Sequence, residues 1–180
     1  NFNMEEIKLS DDVIEQIKDF PRYSRLTEEQ KLLIDKLILN EELKECYLRY
    51  CLCKQCNQPK TDNDWCRVCN AKRFQQNFKN WTSGNHDVDE FIQKTQLKAK
   101  NEYEVIEWVE YDRFENVEYL AKGGFGTTYK AIWKDGFIIY WDSENNQWIR
   151  HRSKKVALKC LHNSQDITAE FLREVRSSFF

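Results

Sequence analysis

The spacing of apolar residues changes along the chain, and the changes divide it into regions. Up to about residue 50 the spacing is helical. Val13, Ile14, Ile17 and Phe20 fall at i, i+1, i+4 and i+7, one face of a helix. Pro21 ends that pattern, because the residue before a proline is pushed out of helical geometry. Thr27-Glu28-Glu29-Gln30 then fits a capping box, with Thr27 as N-cap and Gln30 three residues on. Leu33, Ile34, Leu37 and Ile38 follow on one face. Both segments read as amphipathic packing helices and carry no chemistry.

Past residue 70 the helical period returns. Phe74, Phe78 and Trp81 stand at i, i+4 and i+7, and Val88, Phe91, Ile92 and Thr95 mark a second helix. Thr82-Ser83-Gly84-Asn85 separates them with turn chemistry. An aromatic stripe at this spacing reads as core rather than as a base-stacking platform. From about residue 103 the pattern shifts to strands. They are expected over 117–120, 127–133 and 155–161, with a hairpin whose arms, 137–141 and 147–150, flank the polar loop 142–146. A last helix opens at Asp166-Ile167 and carries Ile167, Phe171, Leu172 and Val175 on one side.

Composition narrows the class. Hydrophobic residues are 41% and charged residues 32% of 180, a globular balance. Lys plus Arg is 28 against 30 Asp plus Glu, a net charge of −2. That lacks the basic excess expected of a nucleic-acid binder. No apolar run is long enough to span a bilayer, and Asn1-Phe2-Asn3-Met4-Glu5-Glu6 lacks the order of a signal peptide. The chain is therefore expected to be intracellular, in the cytoplasm, without a membrane partner. Its seven cysteines are then thiols or metal ligands rather than disulfides.

Four of those cysteines form a pattern. Cys53-Lys54-Gln55-Cys56 is followed, after nine intervening residues, by Cys66-Arg67-Val68-Cys69. Two residues between cysteines let a tight turn aim both thiolates at one ion, and two such turns complete a tetrahedral Zn2+ site. Four thiolates leave no open position, so the site is expected to be structural. Asn57 and Asn70 follow the two pairs, and asparagine tolerates the left-handed backbone such turns use. Cys51 competes with Cys53 only at the loss of the CxxC geometry, and Cys46 is a further spare. Cys160, in a strand, is expected to be a buried small apolar residue. Lys54, Lys60, Arg67, Lys72 and Arg73 surround the cluster. They read as a solvated rim rather than a phosphate-binding patch, given the overall charge.

Three of the five glycines lie in one tetrapeptide, Gly123-Gly124-Phe125-Gly126. The segment Leu120-Ala121-Lys122-Gly123-Gly124-Phe125-Gly126-Thr127-Thr128 resembles the protein-kinase glycine loop G-x-G-x-x-G-x-V. Ala121 stands in the first glycine position and Thr128 where valine is usual. Val156-Ala157-Leu158-Lys159 resembles the V-A-I-K strand, and Glu174 in the last helix stands where the lysine's carboxylate partner is expected, with Glu170 a competitor. The cysteine cluster, Asn70-Ala71-Lys72-Arg73-Phe74, Trp81-Thr82-Ser83-Gly84-Asn85 and Glu107-Trp108-Val109-Glu110-Tyr111 extend the likeness. Together they resemble an expanded fungal family of tyrosine-kinase-like protein kinases, in which a four-cysteine module and helices precede the kinase domain. The same family carries an aromatic insertion like residues 136–152, which accounts for the 33 residues between Gly126 and Lys159.

The resemblance implies an α+β protein. A helical segment (1–50) and a zinc-ribbon-like module of four cysteines (51–70) are followed by linking helices (71–102). The antiparallel N-terminal lobe of a kinase domain, with one helix, completes it (103–180). ATP would lie under the loop against Leu120, Thr128 and Ala157, with Lys159 on its phosphates. Catalysis would also need H-R-D and D-F-G motifs for the base and the Mg2+ ligands. Neither occurs in these residues, so ATP binding without phosphoryl transfer is expected, with protein substrates as partners of the whole kinase. Two other readings stand beside this one: a zinc-stabilised adaptor with a degenerate lobe, and a zinc-ribbon nucleic-acid binder.

Overall fold

The structure is a computed structural model that describes residues 8–124 and 126–161. It is α+β, with helices first and antiparallel strands after them. Two compact units emerge, one of Asn1–Gln76 with Leu97–Asn101 and one of Asn77–Gln96 with Glu102–Phe180.

The helices of the first unit form where the sequence supplies caps. In α1 (Asp11–Ile17) the Ser10 side chain accepts from the Val13 amide, and Ile14 and Ile17 are buried. The expected capping box opens α2 (Glu28–Leu37), with both reciprocal bonds between Thr27 and Gln30 made. Asn40 caps α3 (Glu41–Tyr50) by accepting from the Leu43 amide. Leu9, Ile14, Ile17, Leu26, Ile34, Ile38, Leu43 and Tyr47 bury one another in a single core. Each such side chain contributes about 1.5 to 3 kcal/mol on leaving water. Tyr47 keeps its hydroxyl satisfied by donating to the Ile17 carbonyl at 3.1 Å, which stops α3 against the end of α1. Burial pushes its phenol up to about 12.

The second unit contains two sheets. β1 (Phe114–Gly123), β2 (Gly126–Trp133) and β5 (Lys154–Leu161) form an antiparallel meander in the order β1-β2-β5. β3 (Ile138–Asp142) and β4 (Gln147–Arg150) form the expected hairpin between β2 and β5. Its arms are zipped by Trp141 against Trp148, edge to face with centroids 5.1 Å apart. The Asp142 carboxylate accepts from the Glu144 and Asn145 amides and closes the loop.

This inserted hairpin is anchored at its base. Arg150 makes a two-pronged bond to Glu107 at 2.6 and 2.8 Å, donates to the Gly136 carbonyl at 3.0 Å and lies over the Trp133 ring. Burial raises the Glu107 carboxyl above its ordinary range, against the pull of Arg150. Gly136 has φ +65, and a Cβ there would sit 1.7 Å from the His151 carbonyl oxygen. Only glycine fits between the hairpin base and that carbonyl.

Several local expectations change. The helix carrying Phe74 is α4 (Arg67–Asn77); it stops before Phe78, which begins a 3-10 turn, and Trp81 is extended. The aromatic spacing therefore spans a helix end, and Phe78 meets Trp81 edge to face at 6.5 Å. The second linking helix forms as α5 (His86–Lys98), with Val88 and Ile92 buried. Cys160 is exposed rather than buried. It pairs with Thr127 near the end of β5. The helix expected from Asp166 lies outside the described residues.

Candidate functional site

The chain between α3 and α4 folds into two turns that bring the four cysteines together. Leu52 bridges Pro59, the Cys53 amide donates to the Gln58 carbonyl at 2.8 Å, and the Asn57 amide donates to the Cys53 carbonyl at 2.8 Å. Asn57 takes φ 54 as expected. This tight hairpin turns the first pair inward, and the Gln55 amide donates to the Cys53 sulfur at 3.4 Å. Gln58 then ties the turn to the helical core. Its buried amide accepts from the Leu9 amide at 2.7 Å and donates to the Leu9 carbonyl at 2.9 Å.

The second pair is presented differently from the first, which departs from a two-knuckle ribbon. Cys66 immediately precedes α4 and Cys69 lies in its first turn, with the Asn70 amide bonded to the Cys66 carbonyl at 2.9 Å. The helical turn takes the role that a left-handed residue has in the first pair. Asn70 is accordingly helical and buried, 2% exposed, not left-handed. A helix N-terminus also favours negative charge, so it suits thiolates. Trp65, 1% exposed, sits beneath this turn and donates its indole N–H to the Ala99 carbonyl at 3.0 Å.

The four sulfurs lie within 4.8 Å of one another. Cys53 and Cys69 are 3.9 Å apart, and Cys56 and Cys66 are 3.5 Å apart. A tetrahedral ion with Zn–S bonds of about 2.3 Å separates its sulfurs by about 3.8 Å. The cluster is therefore close enough to bind one metal ion, and its size and donor set are compatible with Zn2+. Cys53 and Cys66 are buried, and Cys56 and Cys69 half-buried. Hydrogen bonds from Cys56, Cys66 and Cys69 push the Cys53 thiol far down. The Cys66 thiol is pushed far up by its bonds to Cys53, Cys56 and Cys69 and by burial. Binding an ion would release whatever protons the four thiols carry. Cys51 stands outside the set, as the C-cap of α3 with φ 61.

The rim cations are largely committed inside the unit. Arg67, buried, faces Glu42 at 3.6 Å; Lys60 donates to the Asn63 carbonyl at 2.6 Å; Arg73 bonds Asn70 and Gln55. The bridge from Arg73 to Gln55 was not readable in the sequence, because nothing in the spacing marks a pair 18 residues apart.

The glycine segment occupies the β1–β2 turn. Gly123 pairs with Gly126 around Gly124, and Phe125 lies outside the described residues. Ala121 is opposite Thr128, Thr128 is opposite Lys159, and Lys130 is opposite Ala157. Directly paired residues and those two apart share a face. Ala121, Gly123, Gly126, Thr128, Ala157 and Lys159 therefore fall on one face of the sheet. Lys122 and Thr127, paired with each other, fall on the other. Leu120 lies at a register shift between Tyr119 and Ala121 and is 56% exposed. Lys155, Ala157 and Lys159 are exposed while Lys154, Val156 and Leu158 are half-buried, so the lysine-bearing face is open. Among the glycines, a Cβ at Gly124 would meet nothing within 4 Å, and one at Gly123 only the Gly126 carbonyl at 4.0 Å. Packing inside the hairpin does not demand these glycines. Glu170 and Glu174 lie outside the described residues.

Among the described residues no helix is long and apolar enough to cross a membrane. No family model, no curated protein and no solved structure matches this chain.

Proposed function

We propose that the chain carries the ATP-binding small lobe of a protein kinase behind a zinc-stabilised helical module. The observation that carries this reading is the shared face of Thr128, Ala157 and Lys159 beside the glycine turn. A sheet that covers a nucleotide needs three things on one side: a small apolar surface for the base, a cation for the phosphates, and a glycine-rich turn through which amides reach the oxygens. Ala157 and Thr128 supply the first, Lys159 the second, and the Gly123–Gly126 turn the third. That packing leaves Gly124 and Gly123 undemanded supports close approach by a ligand as the reason for glycine here.

Lys159 would hold the α and β phosphates as a point charge, and Glu174 would orient it. The Mg2+ ions of a kinase belong with the H-R-D and D-F-G motifs, so these residues alone are expected to bind nucleotide without transferring a phosphoryl group. The metal at the cysteine cluster is Zn2+ in this reading. It supplies cross-linking rather than catalysis, since four thiolates fill its coordination.

Titration of the full chain with a fluorescent ATP analogue tests the nucleotide reading. Saturable binding displaced by ATP is expected, weakened at least about tenfold in Lys159→Met, the order of one charge-assisted contact. A folded chain that shows no displaceable binding would leave the zinc-stabilised adaptor as the better account. Equal affinity in Lys159→Met would also overturn the reading.

A further inference from the structure

The cysteines are not the only residues that join the two halves of the cluster. Arg73 lies one turn beyond Cys69 on α4. Its Nη1 donates to the Asn70 Oδ1 at 2.7 Å, and its Nη2 donates to the Gln55 Oε1. Asn70 directly follows Cys69 and is 2% exposed. Gln55 lies between Cys53 and Cys56, and its amide already bonds the Cys53 sulfur at 3.4 Å. One planar guanidinium therefore holds the inside of the first CxxC turn and the residue after the second.

The neighbouring cations have other partners. Arg67 faces Glu42 and Lys60 bonds the Asn63 carbonyl. Lys72, the residue before Arg73, is exposed.

We propose that Arg73 is a positioning residue for the metal centre, a latch that sets the distance between the knuckle and the start of α4. The proposal rests on the reading that the four cysteines bind an ion. The two turns are built separately, one as a hairpin and one as a helix start. Without a cross-link, an ion must meet the full entropic cost of bringing them together. Arg73 meets part of that cost before the ion arrives and resists separation after it has bound. Lysine cannot replace it. The two bonds diverge from one rigid fork, and an ammonium on a flexible stem does not fix two acceptors at a set separation. Partners that orient ligands in this way are worth about 10- to 100-fold in metal affinity.

Zinc competition between the full chain and a chromophoric chelator tests the latch, with Zn2+ itself as the probe. Arg73→Ala is expected to bind Zn2+ about 10- to 100-fold more weakly than wild type and to release it faster. Arg73→Lys should not restore the affinity. Gln55→Ala should lose part of it, and the double variant should be no weaker than Arg73→Ala, because both act through one bond. Lys72→Ala removes the same charge next door and should match wild type. Wild-type affinity in Arg73→Ala overturns the proposal, and so does an equal loss in Lys72→Ala, which would make the effect one of general charge. If Arg73→Ala does not fold, Gln55→Ala, at an exposed side chain, carries the test alone, and unchanged affinity there refutes the latch. Failure of the metal reading itself is seen separately, as a wild-type chain that takes up no zinc.

Discussion

The two units hold themselves together in different ways. The first buries a continuous apolar core, from Leu9 to Tyr47, and adds the four-cysteine cluster beside it. In the strands of the second, Ala131 and Ile138 are the fully buried apolar residues among those described, and β1 buries none of its ten. That unit relies on strand pairing, on aromatic contacts such as Tyr119 with Tyr129 and Phe114 with Trp133, and on the Glu107–Arg150 pair. The difference teaches where function can be carried. Helices that spend their buried stripe on one another do not set a cation beside a glycine turn on one open face. A sheet with one open face, bearing Ala157 and Lys159 beside a glycine turn, does.

On the proposed zinc reading, the sharpest way to break the comparison is to remove the ion. Structural zinc contributes on the order of 10 kcal/mol in small sites of this kind. Chelation at neutral pH, or Cys66→Ser, should therefore abolish the cooperative melt of the first unit while the far-UV strand signal of the second persists. Loss of both signals together would show that the units do not fold separately. Acidification should act in the same direction, since thiolates must be protonated to leave the ion. Zinc retention measured against pH should fall below neutrality.

A smaller effect tests the apolar core directly. Ile17 is fully buried, so Ile17→Ala should cost about 3 kcal/mol in denaturant unfolding of the first unit. A cost below about 1 kcal/mol would mean that the helices depend on the metal rather than on their own packing.

The smallest effect concerns the second unit. Glu107 and Arg150 retain 17% and 23% side-chain exposure. Glu107→Ala, which removes both acceptors from Arg150, should therefore cost about 2 kcal/mol, less than the roughly 3 to 5 typical of a broken fully buried pair. The direction of the shift at Glu107 fixes the pH dependence. Its carboxyl is raised by burial, so its contribution is most favourable below the unfolded pKa and declines as pH rises through the folded one. The melting temperature of wild type, but not of Glu107→Gln, should fall slightly across that interval.

Much of this was legible in the residues themselves. The Thr27–Gln30 capping box spans three residues, and the hairpin over 137–150 and the two CxxC units close over at most 16. Neighbours of that kind leave a local signature. Asn70 shows the limit. The same Cys-x-x-Cys-Asn string makes a left-handed turn at Asn57 and a helix at Asn70, because the second string leads into the stripe of Val68, Ala71 and Phe74 and the first does not.

Sequence alone thus determined the Thr27–Gln30 cap, the strand periods, the four-cysteine pattern and the glycine turn, since each is a property of short spacing. Tertiary structure decided what joins them: Thr128 opposite Lys159, Glu107 under Arg150 and Arg73 across to Gln55. Those pairs lie from 18 to 43 residues apart. Register and chain reversal bring them together, and no local preference encodes either one.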